Sequence, residues 1–406
     1  MSLIVQKYGG TSVGDLVRIR EVAKRVAKTY DAGNDVVVVL SAMSGVTDHL
    51  IQMAEVLTDS PNRRELDVLM ATGEQTTVAL LAIALTEMGY KAQSILGHQI
   101  PLLTDSAHSS ARIVNIPKDQ VKELLDQKKI VVVAGFQGVD PGGNITTLGR
   151  GGSDTSAVAI AAAIQADVCE IYTDVDGVYT ADPNVVPKAK KLSTITHDVM
   201  LEMSGLGAKV LQIRSVEFAK KYGVPVHVRS SFNEEEGTMV VNEDKDMERM
   251  VVAGVTLAKS DARITVTKVP DRPGIAAQVF QAVADAGISV DMIIQNTRSG
   301  NMTDITFTVG GADYKRTLEV VKKVAAEIGA EDVAGDTDIA KVSITGVGMK
   351  SHSGVAARMF RALADEGVNI MMISTSEIRV SCVVELKYAE LATRILHTEF
   401  GLDRED

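Results

Sequence analysis

Cysteine is nearly missing from this chain, with two among 406 residues, Cys169 and Cys382. They stand far apart inside the apolar stretches VCEIY and VSCVV, the setting of buried reduced thiols. No Cys/His spacing matches a zinc site, so no metal ligands are assigned. A surplus of positive charge is missing too. With 42 Lys and Arg against 53 Asp and Glu the formal net charge is −11, which argues against a nucleic-acid surface. An anionic ligand can bind only where a few cations and backbone N–H groups converge. Proline is sparse at 9 residues, and a composition of 45% hydrophobic and 23% charged residues suggests neither disorder nor a fibrous repeat. The apolar runs VALLAIAL and AVAIAAAI fall short of the roughly 20 residues of a membrane span. MSLIVQKYGG lacks the regions of a signal peptide. By elimination the expected location is the cytoplasm.

What is present is more than one core can hold, and two or three domains are expected. The first part alternates β-branched runs with helical patterns. Strands are expected at 3–9, 36–42, near 91–96 and 130–134, at 169–175 and at 224–230. Helices are expected at 14–30, 45–58, 62–70, 75–88 and about 154–165. VVVVLSA is continuous rather than alternating, the mark of a strand buried on both faces. Strand–helix alternation implies an α/β domain with a mainly parallel sheet sandwiched by helices. Its boundary is expected in the acidic stretch NEEEGTMVVNEDKDMER, giving a first domain over 1–245.

Beyond it the chain repeats itself. GIAAQVFQAVADAGISVDM (274–292) aligns without gaps with GVAARMFRALADEGVNIMM (354–372), and about half the positions are identical. Each copy reads strand, helix, strand, strand, helix. The first copy has a further candidate strand in GAEDVAGDTD, while the second ends in a helix and GLDRED. A βαββαβ unit then needs its last strand from elsewhere, and MVVAGVTL (250–257) is the natural donor. The expected domains are 263–340, inserted in a second made of 250–262 plus 341–406.

Several segments place glycine with hydroxyl or charged residues at strand-to-helix junctions, where open α/β sheets bind ligands. In KYGGTSV, Gly9 and Gly10 let backbone approach a phosphate and Lys7 offers a cation, or the segment is an ordinary turn. In LSAMSGVTD, Ser41, Ser44 and Thr47 are ligand groups or plain N-caps. In MATGEQTT, Thr72 and Gln75 fit a capping box opening a helix, and Glu74 is either dipole-favoured or an acceptor for a substrate ammonium. In TTLGRGGSDTSA three glycines surround Arg150, the side chain best shaped to grip a carboxylate, with Ser153 and Asp154 opening a helix. YTDVDGVYTADP (172–183) is a functional acidic turn or a common one. Lys209 in GLGAKVL is a second phosphate cation or an exposed helical lysine.

Together KYGGTSV, LSAMSGVTD, the GE pair, GFQG, TLGRGGSD and YTDVDGVYTADP strongly resemble the aspartate kinases of the amino acid kinase family, in the family's order and spacing. The repeated tail resembles their paired ACT domains, of ferredoxin-like α+β fold. The resemblance implies ATP with Mg2+ as the phosphoryl source, aspartate as acceptor, and the first step of lysine, threonine and methionine biosynthesis. It implies that Lys7 sits beside the transferring phosphoryl group, with Gly9, Gly10 and Ser41 shaping the phosphate site, and that Asp154 orients Lys7. Arg150 would hold the α-carboxylate, Glu74 the ammonium, and Thr47 and Ser153 would complete that pocket, with Ser41 also among the aspartate-binding residues. Tyr172, Thr173, Asp174, Tyr179, Asp182, Pro183 and Lys209 would line the nucleotide site. In the tail, Asp271, Gln295 and Asn296 and their counterparts Ser351, Thr375 and Ser376 would hold lysine, threonine or both as allosteric inhibitors. A homodimer or larger assembly is expected, with a small subunit if an internal start at Met247 or Met250 is used. The alternatives are a sister kinase for acetylglutamate, glutamate or a nucleotide, and a non-catalytic amino-acid sensor.

Overall fold

The computed structural model describes every residue except 1, 209, 243–250, 299–300, 348, 350–351 and 405–406. The chain divides into two compact units. The first comprises 1–178, 191–205 and 209–246, and the second 179–190, 206–208 and 247–406.

The first unit runs β1 (Leu3–Tyr8), α1 (Leu16–Asp31), β2 (Asp35–Leu40), α2 (Val46–Leu57), α3 (Arg63–Glu87) and β3 (Ala92–Ile95). Next come β4 (Leu103–Thr104), β5 (Ile113–Asn115), α4 (Asp119–Asp126), β6 (Ile130–Ala134), β7 (Gln137–Val139) and β8 (Ile145–Thr147). It closes with α5 (Gly152–Ile164), β9 (Val168–Thr173), β10 (Thr194–Thr196), α6 (His197–Gly205), α7 (Ile213–Tyr222), β11 (Val226–Ser230) and β12 (Thr238–Val241). The main sheet has the order β10-β12-β11-β9-β1-β2-β6-β3. All its pairings are parallel except β11 with β12. Val36–Leu40 and Ile130–Ala134 are wholly buried, as continuous apolar strands covered on both faces must be. Helix α1 is capped by the Asp15 carboxylate, which accepts from the Arg18 N–H, and buries Ile19, Val22, Ala23 and Val26 at helical spacing against the sheet. Both cysteines are free and buried.

Three features differ from the sequence reading. The sheet does not end at 230, because β12 follows the acidic turn and pairs back on β11. The first unit holds a second, small sheet of order β5-β4-β7-β8. And α3 is one helix of 25 residues, so the expected break and capping box at Thr72–Gln75 are not there. The Thr72 hydroxyl instead donates to the Leu69 carbonyl within the helix. Gly73 serves a distant contact: a Cβ there would lie 2.7 Å from the Cβ of Ala42. Among the described residues α3 is the one helix long and apolar enough to cross a membrane, yet half of its apolar stretch is buried in the protein, with Asp67 and Glu74 on the buried side.

The second unit contains β13 (Gly254–Ala258), β14 (Asp261–Pro270), α8 (Ile275–Asp285), β15 (Val290–Arg298), β16 (Met302–Gly310) and α9 (Tyr314–Ile328). It continues with β17 (Asp332–Asp336), β18 (Ile339–Thr345), α10 (Val355–Asp365), β19 (Met372–Thr375), β20 (Arg379–Glu385) and α11 (Ala389–Glu399). Its sheets have the orders β15-β16-β14-β17 and β19-β20-β18-β13, so β13 holds in the second the place of β17 in the first. The first-domain span read from the sequence, 1–245, includes 179–190, but that segment packs into this unit. Ala181 and Val186 are buried with Val255, Val342 and Leu396, and the Val255 N–H donates to the Thr180 carbonyl at 2.7 Å.

Helix propensity alone favours alanine over glycine at position 73 by about 1 kcal/mol. A methyl forced into filled space costs roughly 1–3 kcal/mol. The second effect should win: Gly73→Ala is expected to lower the melting temperature, and Ala42→Gly in the same chain to restore it. A rise on Gly73→Ala alone would refute the contact.

Candidate functional site

Strands β1, β2 and β6 lie side by side and parallel, so their carboxyl ends open together. Lys7, next to last in β1, is 7% exposed, and its ammonium lies 2.6 Å from the Asp154 carboxylate in the first turn of α5. A carboxylate there also meets the positive end of the helix dipole. Gly9 leaves room beside that ammonium, since a Cβ would stand 3.3 Å from the Lys7 nitrogen; one on Gly10 would be 3.0 Å from the Ala42 carbonyl. Glycine is therefore required by closeness here, not by left-handed backbone.

From the end of β2, the Ser41 hydroxyl meets the Ser153 hydroxyl at 2.7 Å. Gly135, following β6, makes this approach possible, because its Cβ would lie 2.9 Å from that of Ser153. The Ala42 N–H donates to one Glu74 oxygen at 3.0 Å, and the second oxygen is buried without a hydrogen-bond partner. Glu74 is 3% exposed, and this burial pushes its carboxyl up to about 7 against the backbone donor that opposes it. A buried orphan oxygen of this kind is unfavourable unless a donor arrives. Thr47 is half-buried in the first turn of α2, after the left-handed Gly45.

Arg150 is exposed and makes no hydrogen bond or ion pair with a described residue. Left-handed glycines flank it, Gly149 with φ of 77° and Gly151 with φ of 68°. Motif reading passed over the groups that fix this turn. Gln212 caps α7 and fills the space beside Gly151, where a Cβ would lie 2.1 Å from its Cγ. Arg214 donates to the Leu148 carbonyl at 2.6 Å and to the Ala111 carbonyl at 3.0 Å. Asp67, wholly buried, accepts from the Thr147 hydroxyl at 2.6 Å. Its spacing of seven residues from Glu74 on an apolar helical face was the available signal.

The expected nucleotide residues are not all gathered. The Tyr172 side chain stacks on Tyr8 at 4.6 Å and bonds Glu170, so only its carbonyl, accepting from the Gly9 N–H, turns to the glycine loop. Thr173 bonds Asp174, which is exposed at the end of β9. Tyr179, Asp182 and Pro183 belong to the second unit, and Lys209 lies outside the described residues. Of the effector candidates, Asp271, Gln295, Asn296, Thr375 and Ser376 are exposed, with Gln295 and Asn296 in the second half of edge strand β15. Ser351, like Met247 and Met250, lies outside the described residues. Among the described residues no three His, Cys, Asp or Glu side chains converge as a metal site.

The chain that carries this arrangement is similar to known proteins along nearly its whole length. Residues 2–230 match the amino acid kinase family, and 263–326 and 342–400 each match an ACT domain. An aspartokinase of Pseudomonas aeruginosa is 56% identical over 405 residues, covering 99% of this chain and 98% of its own. The aspartokinase of Corynebacterium glutamicum is 49% identical, covering 100% of this chain and 98% of its own. Aspartokinase III of E. coli, solved in complex with aspartate and ADP, is 27% identical with a TM-score of 0.81, over 98% of this chain and 99% of its own. The same enzyme with lysine and aspartate gives a TM-score of 0.76 at 26% identity, over the same shares of the two chains.

The raised Glu74 carboxyl has a stability consequence whose sign is set. A folded value of about 7 against an ordinary 4.5 means that the folded chain holds the extra proton between them. That stabilisation is full below the unfolded value and is lost as pH rises through the folded one. Glu74→Gln keeps the acceptor for Ala42 and removes the titration. Relative to the native chain it should gain on the order of 2–3 kcal/mol between about pH 4.5 and pH 8, read by thermal melting without ligand. A difference that stays flat with pH would sink this account of Glu74.

Proposed function

The chain belongs to the amino acid kinase family, as an aspartokinase with a carboxyl group as phosphoryl acceptor, and from that premise we propose that it transfers the γ-phosphoryl group of ATP to the β-carboxylate of L-aspartate. The product is 4-phospho-L-aspartate, entering lysine, threonine and methionine biosynthesis in the cytoplasm. The observation that carries this reading is the buried Lys7–Asp154 pair at the open end of the sheet, with the orphan Glu74 oxygen behind Ala42 and the free Arg150 guanidinium.

A β-carboxylate has an ordinary pKa of about 3.9 and is ionised at neutral pH, so no general base is required. Catalysis reduces to in-line positioning and to neutralising charge on the γ-phosphoryl group. Lys7 supplies a fixed cation, held by Asp154, and the Gly9–Gly10 turn brings backbone N–H groups close. Mg2+ supplies further charge neutralisation when bound; it is usually held by phosphate oxygens and one or two carboxylates, which suits a chain whose described acidic groups form no dedicated cage. Glu74 takes the aspartate ammonium on its unpartnered oxygen, Arg150 takes the α-carboxylate, and Ser41, Thr47 and Ser153 line the space between. On the first unit the nucleotide meets Lys7, Gly9, Gly10, Thr173 and Asp174. The resemblance adds Tyr179, Asp182, Pro183 and Lys209.

For the second unit we propose inhibition by lysine, threonine or both, bound at Asp271, Gln295 and Asn296 and at Thr375 and Ser376, with Ser351 carried over from the resemblance. The free edges β15 and β19 suit sheet pairing between chains, hence a dimer or larger. An effector favouring one state by 1–3 kcal/mol shifts affinity roughly 5–150-fold.

Removing a group that stabilises transition-state charge costs on the order of 10²–10³ in rate. Lys7→Ala should lose turnover by that factor while still binding aspartate, measured with ATP, Mg2+ and aspartate and the acyl phosphate trapped by hydroxylamine. Lysine plus threonine should depress the native rate. Full turnover in Lys7→Ala would remove Lys7 from the mechanism. Turnover of acetylglutamate or glutamate in place of aspartate would overturn the substrate.

A further inference from the structure

Arg150 presents a problem that its own turn does not solve. An exposed guanidinium between two left-handed glycines has wide conformational freedom, and freedom of that kind weakens a grip by the entropy lost on binding. Its aim must come from the backbone just before it. The Leu148 N–H donates to the Phe136 carbonyl at 2.9 Å, and the Thr147 hydroxyl donates to Asp67 at 2.6 Å.

Asp67 holds more than Thr147. Its carboxylate, 0% exposed, also accepts from the Ser109 N–H, 3.0 Å from each oxygen, and faces the His108 Nδ1 at 2.8 Å. Ser109 is itself left-handed, with φ of 67°, and its carbonyl lies 3.1 Å from where a Cβ on Gly149 would stand. One buried group therefore fixes the strand entering the arginine turn and the loop packed across it. A buried carboxylate is costly unless every lone pair is used, and here the donors converge from two segments far apart in the chain.

Resting on the reading of Arg150 as the holder of the aspartate α-carboxylate, we infer that Asp67 is the positioning residue that aims Arg150. Asp67 and Glu74 are seven residues apart on α3, about two helical turns and about 10 Å. One rigid helix then carries the acceptor for the ligand ammonium and, through Thr147, sets the direction of the group for its carboxylate. The spacing between the two poles of an amino-acid ligand is fixed by that helix rather than by the glycine turn.

The test is steady-state kinetics on the full chain with Thr147→Val, Thr147→Ser and Asp67→Asn. Thr147→Val keeps the side-chain shape and deletes the donor. It should raise the KM for aspartate roughly tenfold, the scale of a lost hydrogen bond to a charged group, with the KM for ATP little changed, and should lower the melting temperature because a buried carboxylate loses a donor. Thr147→Ser, which keeps the hydroxyl, should return the aspartate KM to near the native value, and Asp67→Asn should weaken aspartate at least as much as Thr147→Val. In an Arg150→Ala background Thr147→Val should add nothing, because the two act through one group. An aspartate KM untouched by Thr147→Val, or an equal rise for both substrates, overturns the inference while leaving Arg150 in place. If Arg150→Ala itself leaves aspartate binding unchanged, the reading of Arg150 fails and the inference falls with it.

Discussion

Everything at the open end of the first sheet depends on a lysine held against a carboxylate while nearly out of water. The Lys7 and Asp154 side chains are 9% and 13% exposed and 2.6 Å apart. Burying two charges costs several kcal/mol per ion, which their attraction repays only in good geometry, so such a pair is weak evidence of stability. What the pair does is hold the lysine in one place. Asp154 meets the lysine from the amino end of α5, where the helix dipole favours a carboxylate. The rest follows in order. A bound ammonium needs space, so Gly9 stands beside it; the neighbouring turn must come close, so Gly10 and Gly135 lie where methyl groups would collide with Ala42, Ser153 and Leu40.

Helix α3 is the second support, and it explains why an apolar helix of 25 residues belongs in this protein. Its buried face carries two carboxylates among methionine, alanine, valine and leucine. Asp67 has all its donors from the protein, whereas Glu74 lacks one. The fully paired acid holds two distant segments together, and the half-paired acid keeps one buried oxygen open. A free oxygen in a buried site is destabilising in the empty chain, and the same burial pushes the Glu74 carboxyl up to about 7.

Much of this was legible in the sequence because it is local. Glycines next to Lys7 and Arg150, the Ser153–Asp154 helix start and the two repeats are short patterns whose physics needs no distant partner. The misreadings have distant partners. Thr72, Gly73 and Gln75 look like a helix start, and only the contact of Gly73 with Ala42, across the fold, says that the helix runs on. β12 was hidden because it is four residues long and follows NEEEG. The segment 179–190 reads with the motif before it, yet Ala181 and Val186 find their apolar neighbours in β13, β18 and α11. Tyr172 was recoverable: in CEIYT, period two puts Glu170 and Tyr172 on one face and Cys169 and Ile171 on the other.

That alternation bears on how the lysine reaches its place at all. A one-residue slip of β1 would turn Lys7 to the wrong face and put Gln6 or Tyr8 beside Asp154. Apolar strands buried on both faces resist such a slip poorly, since valine against valine is nearly as good one step along. The face opposite Lys7 resists it well. Gln6 pairs in register with Glu170 and donates to its carboxylate at 2.8 Å and to the Thr29 hydroxyl at 2.9 Å. Tyr8 pairs with Tyr172, stacks on it with planes 5° apart and donates to the Gln6 side-chain amide oxygen, while Arg229 closes the group on Glu170 at 3.1 Å. Each of these partners is lost if the strands shift by one residue. A polar cluster that adds little net stability by itself therefore fixes which side of the sheet carries the cation, and the chemistry on one face rests on hydrogen bonds made on the other.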